Sequence, residues 1–170
     1  MLFDEIVVST DSKEIAKVSR RYGADTVVMR DDLSHDPKKA KWLSSNECGT
    51  HELMSCVVDE VVDDDAIVAC IYATAPLMCA RDLRRGYEVL HDDMNIGTFV
   101  FSVGASPLRD AGQFYFASKH SWACGCQHEV SHQIISEASR LIVVPEHRVC
   151  DINTPEDWAR AEQLYKNMHV

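Results

Sequence analysis

The sequence predicts a single α/β domain over residues 1–170, in which a mainly parallel sheet lies between two layers of helices. Short apolar stretches alternate with segments of helical period along the chain, which is the pattern of repeated βαβ units. The stretch 66–71 is apolar at every position, as expected for a strand covered on both faces. The length and the 46% of hydrophobic residues suit one core, and no linker, repeat or low-complexity tract divides the chain.

The N-terminal third predicts a strand, a helix and a second strand. Residues 3–10 form an apolar strand that runs into a turn, where Asp11 or Ser12 can cap a helix with a side-chain oxygen. The helix extends to about residue 22, and Gly23 ends it. Residues 25–29 form the next strand. One apolar face on the helix is predicted by Ile15, Val18 and Tyr22.

The middle of the chain becomes polar and lacks a clean period from residue 30 to residue 49. We therefore expect a loop there, with one helical turn near residues 38–43. A second helix over residues 50–62 leads into the strand 66–71.

The remaining chain continues the alternation after a proline turn at residues 74–76. Residues 104–109 form a bridge between two strands, and the ambiguous interval 118–132 begins as a helix. The predicted elements are, in order, a helix near 80–90, strands at 98–103, 113–117 and 141–144, and a helix at 155–167 with Pro155 in its first turn.

Composition excludes several classes of protein. The formal net charge of −10 argues against nucleic acid as a partner, because phosphate backbones require clustered lysine and arginine. No apolar run approaches the ~20 residues that a membrane span needs. Residues 1–10 lack the basic start of a signal peptide, so we expect a cytoplasmic protein without a membrane partner. The seven cysteines form no CxxC pair and are expected to be reduced, buried thiols.

Polar residues follow three of the predicted strands. In open α/β sheets, ligands bind beyond the carboxyl ends of the strands, which singles out residues 9–11, 72–76 and 150–153. Ser, Thr, Asp and Pro are also the ordinary residues of turns and caps. Taken singly, each segment is better explained as a turn than as a site.

Six stretches of the sequence form a recognisable series from Phe3 to Tyr165. They are, in order, FDEIVVSTDSKEIAKVSRRYGAD, GTHEL, CIYATAPLM followed by RDL, FSV, DAGQFYF and RVCDINTPEDWARAEQLY. Taken together, and in this order, they resemble the CMP-sugar synthetases, and most closely the branch that acts on pseudaminic acid, with the sialic acid enzymes close behind. The resemblance implies a fold like that of nucleotide-diphospho-sugar transferases.

The resemblance implies a reaction and a set of site residues. Enzymes of this family transfer CMP from CTP to the anomeric hydroxyl of an acidic nine-carbon sugar, with Mg²⁺ at the phosphates. Asp151 stands at the position of a catalytic, metal-binding carboxylate, and Asn153 stands where many members have a second metal-binding Asp. The implied substrate-binding residues are Thr74 and Pro76 on the nucleotide side and Asp110, Gly112 and Gln113 on the sugar side.

Two features of the family are not found in these 170 residues. One is the glycine-rich, basic phosphate loop, and the other is a long insertion between Val103 and Asp110 that helps to build the sugar site and the dimer contact. The resemblance implies a homodimer, but through a different contact. Three hypotheses follow: a reduced or inactive enzyme, a non-catalytic binding or interaction protein that retains the fold, and a fragment of a split enzyme.

A second group of residues could bind a soft metal such as zinc, since cysteine and histidine are its ligands. The group consists of His120, Cys124, Cys126, His128 and His132. Its spacing is not that of a finger or ribbon, so incidental histidines and thiols are the favoured interpretation.

Overall fold

The computed structural model describes residues 2–93, 98–105, 107–123 and 134–168. Its contacts group into two compact units. The first unit contains the described residues up to Asp64 together with Trp122 and Ala123, and the second contains Asp65–Ser121 and residues 134–168. The prediction of one domain over residues 1–170 stays a prediction.

The first unit begins with a parallel strand pair joined by a helix. β1 (Val7–Thr10) pairs with β2 (Thr26–Met29), and α1 (Lys13–Arg21) connects them. The side-chain oxygen of Ser12 accepts a hydrogen bond from the Ile15 N–H at 3.3 Å, which confirms the predicted cap. Gly23 follows the helix with φ of +94°, a conformation that glycine adopts without strain.

The apolar face of α1 points toward solvent. Ile15 is 52% exposed, Val18 48% and Tyr22 82%, whereas only Ala16 of this helix is buried. The small side chain of Ala16 lets this short helix approach its two strands closely. The helical period was therefore predicted correctly, although the residues that carry it are not buried in this structure.

The polar middle of the chain contains more helix than the sequence indicates. After a 3-10 turn at Arg30–Asp32, α2 (Pro37–Leu43) has seven residues, and a side-chain oxygen of Asp36 caps it at 2.9 Å from the Lys38 N–H. The predicted second helix is α3 (Thr50–Val61).

The second unit contains a four-stranded mixed sheet in the order β3-β5-β4-β6. β5 is antiparallel to β3 and β4, whereas β4 and β6 are parallel. The α/β class is confirmed. The strands are β3 (Ile67–Ile71), β4 (Val100–Ala105), β5 (Leu108–Ser118) and β6 (Arg140–Val144).

A β-hairpin replaces the predicted bridge at residues 104–109. Gly104 pairs with Arg109 and Ala105 pairs with Leu108, so β5 begins five residues before the predicted start at residue 113. A tight hairpin joins antiparallel strands, and this explains why the sheet is mixed. The prediction of the bridge was wrong because the small and charged residues of this stretch lack strand propensity, and only pairing with β4 makes them a strand.

Helices cover this sheet. α4 (Ala80–Asp92) packs against β4, β5 and β6, and a short helix, α5 (Lys119–Ala123), follows β5. α6 (Pro155–Met168) contributes Ala161 to a buried cluster with Leu77 and Cys150. Within the described ranges, each helix is too short or too polar to cross a membrane.

Candidate functional site

A cleft of about 510 Å³ opens in the second unit beyond the carboxyl ends of β3 and β6. Tyr72 follows β3, and residues 149–151 come shortly after β6. The first residues of β5 complete the cleft, because the Tyr72 N–H donates to the Gln113 carbonyl at 3.0 Å. The lining residues are Tyr72, Arg109, Asp110, Ala111, Gly112, Tyr115, Val149, Cys150, Asp151 and Arg160.

Three of the site residues that the family resemblance implies line this one cleft: Asp110, Gly112 and Asp151. Tyr72 and Cys150, from the segments 72–76 and 150–153, line it as well. The position agrees with the rule that open sheets bind ligands at their carboxyl edge. The roles implied for these residues stay predictions.

The other predicted substrate-binding residues do not line the cleft. Thr74 is half-buried, and its carbonyl accepts from the Ile152 N–H at 2.9 Å, so it supports the strand end next to the cleft. Pro76 is exposed. Gln113 is completely buried, and its Nε2 donates to the Arg148 carbonyl at 2.6 Å.

Asp151 is exposed and accepts a hydrogen bond from a neighbouring side chain. The side-chain Nδ2 of Asn153 donates to its Oδ2 at 2.9 Å. Asn153 therefore presents its nitrogen to Asp151 in this arrangement, and its amide would have to turn over before its oxygen could join a cation there.

The residues that follow Asn153 form a reciprocal cap on α6. The Asp157 N–H donates to the Thr154 hydroxyl at 3.2 Å, while the Thr154 N–H and hydroxyl both donate to Asp157 Oδ2 at 2.9 Å. The hydroxyl of Thr154, aided by the Asn153 N–H, holds the pKa of Asp157 below its ordinary value. Much of the DINTPEDW motif thus serves to start a helix, and Asp151 is its carboxylate in the cleft.

Asp110 is held by two donors. The Gly112 N–H donates to its Oδ1 at 2.9 Å, and the Tyr115 hydroxyl donates to its Oδ2 at 2.5 Å. Gly112 has φ of +61°, which this tight turn requires and glycine tolerates. Burial, with a further contribution from Asp110, raises the pKa of Tyr115 well above its usual range, so the phenol remains a donor at neutral pH.

An aromatic wall forms one side of the cleft. The Tyr72 and Tyr115 rings meet edge to face, with centroids 5.7 Å apart, and Phe101 stacks on Tyr115 at 6.0 Å. Such a wall can hold a flat ring through its face. Sequence reasoning included Tyr72 in the candidate segment 72–76 but missed Tyr115, because an aromatic residue in a strand is ordinarily a core residue.

Two arginines supply positive charge. Arg109 forms an ion pair with Glu146, and the hydrogen bond from Arg109 lowers the pKa of that carboxyl. Arg160 extends from α6, is exposed, and attracts the carboxylates of Glu146 and Asp157. Sequence reasoning missed Arg160 because an exposed arginine on a helix is usually a solvated residue.

The donor set suits a divalent cation that arrives with phosphate. Mg²⁺ is commonly bound by one or two carboxylates, while water and substrate phosphates complete its shell. Asp151 supplies one such carboxylate, and Asp110 lies in the same cleft. Among the described residues, no three His, Cys, Asp or Glu side chains form a group that could hold a metal by themselves. Of the proposed zinc group only His120 falls within the described residues, and the other four members lie outside them.

No known family model matches this chain. Two pseudaminic acid cytidylyltransferases from strains of Campylobacter jejuni are 28% and 27% identical to it over 200 residues, covering 99% of this chain and 81% of each relative. A Helicobacter pylori protein named as both a pseudaminic acid cytidylyltransferase and a UDP-sugar hydrolase is 28% identical over 112 residues, covering 64% of this chain and 20% of that protein.

Proposed function

We infer from these relatives that the chain is a member of the CMP-sugar synthetase family, and we propose that its cleft binds a cytidine nucleotide, a divalent cation and an acidic nine-carbon sugar of the pseudaminic acid type. One observation carries the proposal. Asp110, Gly112 and Asp151, which the family resemblance assigns to the sugar and to the metal, line the same cleft.

Asp151 is the proposed cation ligand, and Asn153, two residues later in the chain, occupies the second proposed ligand position. A Mg²⁺ ion bound there would offset the negative charges that a nucleotide phosphate and an acidic sugar bring together. Because Asn153 presents its amide nitrogen to Asp151, the site depends mainly on one protein carboxylate and on the phosphates of the ligand.

The remaining residues of the cleft orient the substrates. Arg160 and Arg109 attract the anionic groups of both substrates. Tyr72 and Tyr115 offer their rings to a flat or apolar part of a ligand. The Tyr115 hydroxyl holds Asp110 in place, so that the carboxylate can accept a hydrogen bond from a sugar hydroxyl.

We propose further that this chain alone turns over slowly. The triphosphate of CTP needs several backbone and cationic donors, and a glycine-rich basic loop is the usual source of them. The 170 residues contain no such loop. The cleft supplies two arginines in its place, and one of them already pairs with Glu146.

The test is a calorimetric titration of CMP and CTP into the protein with Mg²⁺, repeated with Asp151→Ala. We expect micromolar binding that requires Mg²⁺ and falls at least about tenfold in the variant, which corresponds to ~1.4 kcal/mol. Asp92→Ala is the matched control, because it removes an exposed carboxylate at the end of α4 and is expected to leave the affinity unchanged.

The same samples then receive CTP with pseudaminic acid or a sialic acid, and pyrophosphate release is measured. Binding without appreciable release would support a reduced enzyme or a binding protein. Rapid release would contradict slow turnover, whereas a folded protein that gives no heat with CMP or CTP would refute nucleotide binding altogether.

A further inference from the structure

A buried ion pair lies behind the cleft. Asp82, in the first turn of α4, and Arg148, in the 3-10 turn Glu146–Arg148 after β6, form a salt bridge with exposures of only 5% and 4%. Cys79 contacts both residues. Arg148 Nη1 donates to Cys79 Sγ at 2.9 Å, and the Cys79 thiol donates to Asp82 Oδ2 at 3.1 Å.

Stability alone is a poor explanation for this pair. Burial raises the pKa of Asp82, but the hydrogen bonds from Arg148 and Cys79 and the charge of Arg148 outweigh it and leave the pKa below its ordinary value. The second guanidinium nitrogen, Nη2, is buried without a hydrogen-bond partner in the described part of the chain. Apolar residues of similar size often replace such a pair without loss of stability, so its contribution to stability does not by itself account for its presence.

The chain that leaves Arg148 is anchored at almost every residue. The Arg148 carbonyl accepts from the buried Gln113 at 2.6 Å. Val149 and Cys150 are 8% and 3% exposed and belong to buried clusters. The Ile152 N–H donates to the Thr74 carbonyl at 2.9 Å. Asp151 is the exposed residue within this anchored stretch.

We propose that the Asp82–Arg148 pair, together with Gln113, is a positioning device that holds residues 148–152 so that the Asp151 carboxylate enters the cleft in one direction. A cation ligand on a loose loop would lose part of its binding free energy to ordering, and an anchored backbone removes that loss. The functional part of this proposal rests on the proposed role of Asp151 as a cation ligand. The structural part, that the pair holds residues 148–152 in place, does not depend on that role.

The test replaces both charges at once with Asp82→Leu/Arg148→Met. Leucine has the same number of side-chain heavy atoms as aspartate, and no unpaired charge is left buried, so the variant is expected to fold. Amide exchange over residues 148–153 should accelerate at least about tenfold, while exchange in β4 and β5 stays as in the wild-type protein. The Mg²⁺-dependent affinity for CMP should fall in parallel.

The matched control is Asp93→Leu/Arg140→Met. It removes an Asp–Arg pair at the other end of α4, between that helix and the start of β6. This pair is more exposed, with side-chain exposures of 27% and 46%, and neither residue lines the cleft. Exchange over residues 148–153 should not change in the control.

A second variant, Gln113→Met, keeps the proposal testable if the first one does not fold. It removes the donor to the Arg148 carbonyl, but it also removes Gln113 Oε1, which is buried without a partner in the described part of the chain. Faster exchange at residues 149–151 supports positioning. Wild-type exchange over residues 148–153 in either folded variant overturns it.

The two proposals fail separately. If the wild-type protein binds no nucleotide, the proposed function fails, and the exchange experiment still decides whether the pair holds the loop. If the wild-type protein binds CMP and a variant with a loosened loop binds it equally well, positioning of Asp151 fails while the proposed function stands.

Discussion

Residues 151–157 contain two aspartates in different surroundings. Asp151 is exposed in the cleft, whereas Asp157 accepts three hydrogen bonds through one oxygen at the start of α6. The sequence motif does not distinguish the two, because a helix cap and the proposed cation site favour the same residue type. The hydrogen-bond partners of Asp151 and Asp157 in the structure distinguish them.

The cap makes the stability of α6 depend on pH. The folded pKa of Asp157 is depressed below 3.8, so its contribution is present above that value and is lost as pH falls through the folded pKa. Asp157→Asn should unfold at a lower temperature than wild type at pH 7, and the difference should shrink as the pH falls below about 4. Thermal unfolding followed by circular dichroism measures it.

Glu156→Gln is the control for that series. It removes the neighbouring exposed carboxylate in the same first turn, which forms no reciprocal cap with the described residues, so its unfolding temperature should follow wild type at every pH. A constant gap between Asp157→Asn and wild type down to pH 2 would contradict a charge-dependent cap.

The packing of α4 on the sheet depends on one glycine. A Cβ added to Gly86 would lie 3.0 Å from the ring of Phe116 and 3.2 Å from that of Phe114. Both rings are buried and contact each other with centroids 5.6 Å apart, so they have little room to move. Glycine weakens the helix itself, but it allows the close approach.

Gly86→Val should therefore destabilise the second unit. Overpacking of this kind costs ~1–3 kcal/mol, and urea denaturation measures the loss. Arg85→Val is the control, since it places the same β-branched residue at the adjacent exposed position of α4. Because valine is a better helix former than glycine, a Gly86→Val variant at least as stable as wild type would show that the contact with the rings is unimportant.

At the scale of the whole molecule, one boundary between the two units falls within α5. The first three residues of α5 belong to the second unit, and Trp122 and Ala123 belong to the first. The Ala123 carbonyl accepts from Ser55 of α3 at 3.4 Å, and the Trp122 ring lies 5.9 Å from that of His51. The chain thus passes more than once between the units, which favours joint unfolding.

We expect one cooperative unfolding transition, in agreement with the single-domain prediction. Amide exchange measured at rising urea should give the same midpoint for peptides from β1 and β2 and for peptides from β4 and β5. Two separated midpoints would instead establish two domains.

The α/β class and most of the elements were predictable because they rest on local signals. Ser12 caps α1 through a residue three positions away, and the all-apolar run at residues 66–71 becomes β3. Interactions of this kind join residues that are close together in the chain, so the order of the residues is enough to predict them. The family resemblance likewise depends on order, and it singled out Asp110 and Asp151, which both line the cleft.

What the sequence by itself determined, then, is the α/β class, most of the elements, the resemblance to the cytidylyltransferase relatives and two of the carboxylates that line the cleft. The tertiary structure alone decided the hairpin at Leu108, the tyrosine wall, the place of Arg160 and the buried pair behind Asp151. The buried pair joins residues far apart in the chain: Arg148 lies 66 positions from Asp82 and 35 from Gln113. The hairpin is local, but its strand forms only by pairing with β4. The free energy of such contacts comes from burial and pairing across the fold, and a local pattern carries no signal of it.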